Sequence, residues 1–187
     1  MRFIPLIGLL TVCTTAWAAE PDAAPATKPA TTRPVPVVAI WHEGGMPLPG
    51  TPHEDWRRLV IGIWSDGTIV WSGAGDGAGR PYQTTRLEPA AVEKLVRDLD
   101  ELKFFTDAEV NHHRNRFPPD AGHTVIAAEA GPEKRQRLSL WRDPPADRFG
   151  EVWTAARKLI EQLTPETQGE PVEQLDESVF RLGRNVR

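Results

Sequence analysis

The chain has almost no cysteine, almost no tyrosine and no excess of basic residues. One Cys and one Tyr occur in 187 residues, and 22 Lys plus Arg stand against 26 Asp plus Glu, a formal charge of −4. The acidic balance excludes a general nucleic-acid binder, which shows a basic excess or stripe. The lone thiol, Cys13, lies inside an N-terminal apolar stretch that reads as an export signal. With that stretch removed the mature chain has no thiol, which excludes disulfides, thiol catalysis and cysteine-ligated zinc. Two catalytic signatures are missing as well. No His-Glu-x-x-His helix is present, and none of Ser65, Ser72, Ser139 and Ser178 sits in a Gly-x-Ser-x-Gly elbow.

The ends of the chain carry an address. Arg2 is followed by Phe3 to Cys13, interrupted only by Pro5, Gly8 and Thr11, and then by Ala16-Trp17-Ala18. A positive start, a short apolar run and a small-x-small site make residues 1–18 a signal peptide. The run through Ala19 is 17 residues long, the lower limit for a bilayer span, so an uncleaved anchor is the alternative. Leu10-Thr11-Val12-Cys13 resembles a lipobox but has Val12 where a small residue is needed, which makes lipid attachment the lesser reading. Residues 19–36 are rich in Pro, Ala and Thr and form a tether too poor in apolar side chains for a core. Residues 37–164 constitute one domain. Residues 165–187 are a polar tail in which Val172, Leu175, Val179 and Leu182 recur at helical spacing before Gly183. That stripe is expected to dock on its own domain.

The middle reads as a hairpin and a helix, twice. Leu59 to Ser65 and Ile69 to Gly73 are β-rich runs around Asp66-Gly67, a pair that predicts a two-residue type I′ turn. Tyr82 to Leu87 adds a strand. Pro89 then opens a helix whose apolar stripe is Val92, Leu95, Val96, Leu99 and Leu102, with Phe104 and Phe105 at its exit. In the second half, His123 to Glu129 and Arg135 to Trp141 flank a Gly131-Pro132-Glu133-Lys134 turn. A helix bearing Phe149, Val152, Trp153, Ala156, Leu159, Ile160 and Leu163 on one side follows Pro144-Pro145. With Val37 to Trp41 as an extra strand, the expected class is α+β. An antiparallel sheet of five or six strands carries two helices on one face.

The stretch from Ile61 through Phe105, with its Trp-Ser-Asp-Gly-Thr-Ile-Val-Trp hairpin, resembles exported bacterial domains of unknown function. Pro119-Asp120 before Thr124-Val125-Ile126, and the Phe149 to Ile160 helix, fit the same outline. The resemblance implies a fold and an exported location, and brings no catalytic residues with it.

Aromatic and imidazole side chains supply the candidate sites. With a two-residue turn, Trp64 faces Ile69 and Gly62 faces Trp71, which places Val60, Gly62, Trp64, Ile69 and Trp71 on one face and Leu59, Ile61, Ile63 and Val70 on the other. Both faces are apolar. One meets the helices; the other is either covered by another segment, such as 38–58 with Trp41 and Trp56, or presents Trp64 and Trp71 as an aromatic ledge. Burial in a core is the commoner fate of such residues. A ledge would suit sugar rings or a partner's apolar patch. His112, His113 and His123, with Asp120, are a ligand set suited to zinc, although their spacing matches no established site. His42-Glu43 and His53-Glu54-Asp55 form a second polar grouping that would strengthen this reading by converging on the first. Gly73-Ala74-Gly75-Asp76-Gly77-Ala78 satisfies Gly-x-Gly-x-x-Ala, but Gly79-Arg80-Pro81 follows instead of a helix, so the segment reads as a loop. Lys134, Arg135, Arg137 and Arg142 make the second hairpin basic, as a strand edge or solvated face often is.

Three readings of function follow. The leading one is an exported, non-catalytic binding module in the periplasm or cell envelope. It would meet an envelope protein or glycan, with no cofactor, no nucleic acid and no membrane span once the signal is cleaved. The second is a metal-binding protein or metal-dependent hydrolase using His112, His113 and His123. The third is carbohydrate binding through Trp64 and Trp71.

Overall fold

In a computed structural model of the chain, residues 34–44, 57–75, 77–112 and 121–184 are described, with the backbone alone at 111 and 112. Residues 1–33, which hold the expected export signal and most of the expected tether, therefore lie outside the described residues. The strands are β1 (Pro36–Glu43), β2 (Arg57–Trp64), β3 (Thr68–Ser72), β4 (Tyr82–Arg86), β5 (His123–Glu129), β6 (Arg135–Leu140) and β7 (Glu170–Val172). The helices are α1 (Pro89–Glu101), α2 (Ala108–His112) and α3 (Arg148–Glu161), and a 3₁₀ helix spans Glu177–Arg181. All seven strands join one antiparallel sheet in the order β6-β5-β1-β2-β3-β4-β7. The α+β class is as expected, with two additions. β7 extends the sheet to seven strands, and α2 makes three helices. Among the described residues no helix is long and apolar enough to cross a membrane.

β1 joins the two hairpin–helix halves. It pairs with β2 on one side and β5 on the other, so Val38, Ala39, Ile40 and Trp41 lie in the middle of the sheet and are fully buried. A short apolar run without polar alternation is what a strand covered on both faces requires.

The first face packs against the helices. α1 begins at Pro89 and buries Val92, Leu95 and Leu99. α3 is capped by Asp147, whose carboxylate accepts the Gly150 N–H at 2.9 Å, and buries Phe149, Val152, Trp153, Ala156 and Ile160. These side chains share one core with Val38, Ile40, Ile61, Ile63, Ile69, Trp71 and Ile126.

The second face is closed by the C-terminal segment. After β7, the chain crosses the sheet and places Val179, Phe180 and Leu182 over Ala39, Trp41, Leu59, Val70 and Val125. The described part of the tail therefore packs on the sheet through Val172, Leu175, Val179, Phe180 and Leu182. The expected stripe does dock, but as a three-residue strand and a 3₁₀ helix, not one α-helix. Asp176 starts the 3₁₀ turn by accepting the Ser178 N–H at 3.0 Å, and Gly183, at φ 66°, ends it.

The register of the β2–β3 hairpin differs from expectation by one residue. Ile63 pairs with Ile69 and Ile61 with Trp71. The Gly67 N–H donates to Trp64 O at 3.0 Å, Gly67 is at φ 88°, and Asp66 is not in the left-handed region. The Asp66 carboxylate instead accepts the Thr68 N–H at 3.0 Å. A turn with one left-handed residue adds a residue to the connection, and a one-residue slip sends alternate side chains to the opposite face. Trp71 therefore joins the helix-side core and Trp64 the other. A bulge on β2, where Ile40 pairs with Ile61 but Trp41 with Leu59, also parts Leu59 from Ile61 and Ile63.

Candidate functional site

Trp64 and Trp71 form no exposed ledge. They are 4% and 6% exposed and lie on opposite faces of the sheet, so no single ligand surface contains both indoles. Helices cover Trp71. Trp64 packs with Val179, Phe180 and Leu182 of the C-terminal segment; of the 38–58 stretch, Trp41 belongs to the sheet itself, and residues 45–56, with Trp56, lie outside the described residues.

Of the histidine set, the His123 side chain alone is among the described residues. His113 and Asp120 lie outside the described residues, and His112 is described by its backbone at the end of α2. His123 opens β5. There the ladder pairs it with Glu43, and it pairs His42 with Thr124, so His123 faces the His42-Glu43 pair across strands. His42 Nδ1 lies 3.0 Å from Thr124 Oγ1. His42 and Glu43 are successive residues of a strand and point to opposite faces. Among the described residues no group of three or more His, Cys, Asp or Glu side chains is placed to hold a metal ion.

Trp64 does line a cleft. Between the tip of the β2–β3 hairpin and the segment after β7 is a hollow of about 300 Å³. Trp64, Thr68, Val70, Thr84 and Val172 are sheet residues on its lining, while Pro34, Gln174, Leu175 and Asp176 form the remainder. β7 pairs with β4 only over Tyr82 to Thr84 and leaves the sheet at Val172, opposite Tyr82, and Gln174, Leu175 and Asp176 beyond it form one wall of the hollow. The cleft is mainly apolar. Its Thr84 hydroxyl already donates to Ile69 O at 2.8 Å, and its Asp176 carboxylate is engaged with Ser178 N. Among the described lining residues Asp176 is the one titratable side chain, and the mainly apolar walls suit an apolar group.

The opposite end of the second face is charged. Glu43 accepts a hydrogen bond from Trp41 Nε1 at 3.1 Å and another from Arg137 Nη2, and Arg184 approaches it at 3.7 Å. Burial pushes the Glu43 carboxyl up, but the Trp41 and Arg137 hydrogen bonds and the Arg137 charge outweigh it and hold the group below its ordinary range. Arg137, expected on a solvated strand edge, instead turns inward and stacks on Trp41 at 4.8 Å. Its neighbours on the hairpin do form surface pairs, Lys134 with Asp100 and Arg135 with Glu129.

The Gly-rich loop has a structural task. Ser72 Oγ donates to Gly79 O at 2.7 Å and accepts the Ala74 N–H at 3.1 Å, tying the loop's ends together before β4. Sequence reasoning missed the cleft because its walls come from residues about a hundred positions apart. Val172 and Leu175 had a visible signal in the tail's apolar stripe, whereas Thr68 and Thr84 had none. Comparison with protein-family models, curated proteins and solved structures finds no match for this chain.

Proposed function

We propose that the chain is an exported binding module of the cell envelope and that the Trp64 cleft receives an apolar side chain presented by a partner protein. The cleft's composition carries the reading. An indole, Val70, Val172, Leu175 and Pro34 surround a hollow near the lower limit of small-ligand sites, large enough for one anchoring side chain. Aromatic floors of this kind serve as receptors for single apolar or proline anchors. The signal-like start and the Pro-rich tether support an exported location, since a tether gives a binding domain reach from its point of attachment.

Site-specific photo-crosslinking in the native host tests it. A benzophenone side chain at Leu175 should give discrete protein adducts from the envelope fraction, and the same group at Glu93, on the exposed side of α1, should give none of them. Adducts that are absent, confined to glycan, or equal at the two positions would refute a cleft-borne protein contact.

A further inference from the structure

We propose that the arginine cluster at the Glu43 end of the second face binds the phosphate group of a small anionic ligand. Two guanidinium groups, those of Arg137 and Arg184, reach the Glu43 carboxylate, and Arg57 stands beside them at the facing position of the ladder. Arg57 stands opposite Glu43 in the β1–β2 ladder, Arg137 crosses from β6 over the Trp41 ring, and Arg184 arrives from beyond the 3₁₀ helix. Among the described residues Glu43 is the one carboxylate paired with these groups, which leaves the cluster a local positive excess on a chain whose net charge is −4.

Like charges gathered at a partly buried site oppose one another, and the surroundings position them without cancelling them. Arg57 lies over the Phe180 ring at 5.3 Å and Arg137 over Trp41 at 4.8 Å. Stacking on an aromatic face orients a guanidinium plane while leaving its N–H edges available. Burial first, and then the charges of Arg184 and Arg57, lower the Arg137 pKa against the opposing effect of Glu43. A mere clamp between β6 and the C-terminal segment is already complete in one residue. Arg137 bonds both Glu43 and, at 3.4 Å, Phe180 O. Arg57 and Arg184 are surplus to that clamp. Planar forks converging with an excess of positive charge match a phosphate monoester or inorganic phosphate, whose oxygens accept paired N–H bonds. Glu43 is then the internal anion with which the ligand competes. The site is at the far end of β1 from the Trp64 cleft and does not depend on that cleft's role.

The test is calorimetric titration of the full chain in phosphate-free buffer at constant ionic strength, with inorganic phosphate, glycerol 3-phosphate and chloride as probes. Saturable one-site binding of phosphate but not chloride is expected. Arg57→Gln and Arg184→Gln should each weaken it about ten-fold, the effect of losing one charge-assisted hydrogen bond. Glu43→Gln should strengthen it, because the competing carboxylate is gone. A thermal midpoint for each variant without phosphate separates loss of binding from loss of folding. Binding of both phosphates assigns the site to an ester-bearing ligand, and binding of inorganic phosphate alone assigns it to the free ion. Absence of saturable binding, equal binding of chloride, or weaker binding in the folded Glu43→Gln variant would overturn the proposal.

Discussion

Replacing Phe180 with Ala tests whether the C-terminal segment is a structural layer of the domain. Phe180 is 4% exposed, meets Trp41 edge-on at 5.8 Å, and carries Arg57 above its other surface. Truncating a buried Phe to Ala costs about 3–5 kcal/mol. Most of that is lost burial and the residual cavity, and the Arg57 contact accounts for about 0.5–1 kcal/mol. In a unit of this size each kcal/mol corresponds to about 2–4 °C in melting temperature, so the midpoint should fall by about 6–20 °C. Equilibrium urea unfolding, read by tryptophan emission, measures the free energy directly. Because the change loosens the layer over Trp41 and Trp64, the native emission should also shift to the red. A loss below about 1 kcal/mol, together with unshifted emission, would refute the reasoning, since it would leave the segment a dispensable appendage. Truncation before Val172 should be worse still, for it exposes Ala39, Trp41, Leu59 and Val125 at once.

Gly150→Ala should destabilise by about 3 kcal/mol or more, because a Cβ at this position in the first turn of α3 collides with Pro145 O; chemical denaturation checks it. Asp147→Ala should cost about 1 kcal/mol through loss of the bond from Gly150 N–H, and Asp147→Asn, which keeps an acceptor, should recover most of it. Acid should destabilise the fold. The Glu43 carboxyl is held below its ordinary 4.5, so its contribution is present above that value and is lost as pH falls through the depressed folded-state pKa. Glu43→Gln should therefore flatten the decline of stability below about pH 4.5, and a decline of unchanged steepness would show that other carboxylates account for it. Asp107 acts in the same direction: its bonds from Arg148, and those from Val110 and Glu109 N–H, hold its carboxyl low despite some desolvation.

Much of the fold was legible locally. The Val92-Leu95-Leu99 stripe and Pro89 at a helix start act through neighbours within a few positions, so they read correctly without a partner. The Asp66-Gly67 turn was legible as a turn but not as a turn type. Both a two-residue I′ turn and a turn with a single left-handed glycine accept Asp-Gly, and they differ by the one residue that decides where Trp64 points. Local apolarity could show that both faces of the hairpin needed covering. It could not say by what, because the cover comes from Val179 and Phe180, more than a hundred residues onward.

Composition and periodicity by themselves determined the acidic, thiol-poor character of the chain, its export-like start, its α+β class and the hairpin–helix order, since each rests on side-chain chemistry or on spacing within a few residues. The tertiary structure decided which surfaces exist. It buried Trp64 and Trp71 on opposite faces, set His42 and Glu43 against the start of β5, brought Arg137 and Arg184 to the Glu43 carboxylate with Arg57 at the facing ladder position, and left a cleft between the hairpin and the segment after β7. These outcomes depend on strand register and on long-range pairing. A shift of one residue reverses the faces, and no local pattern records it.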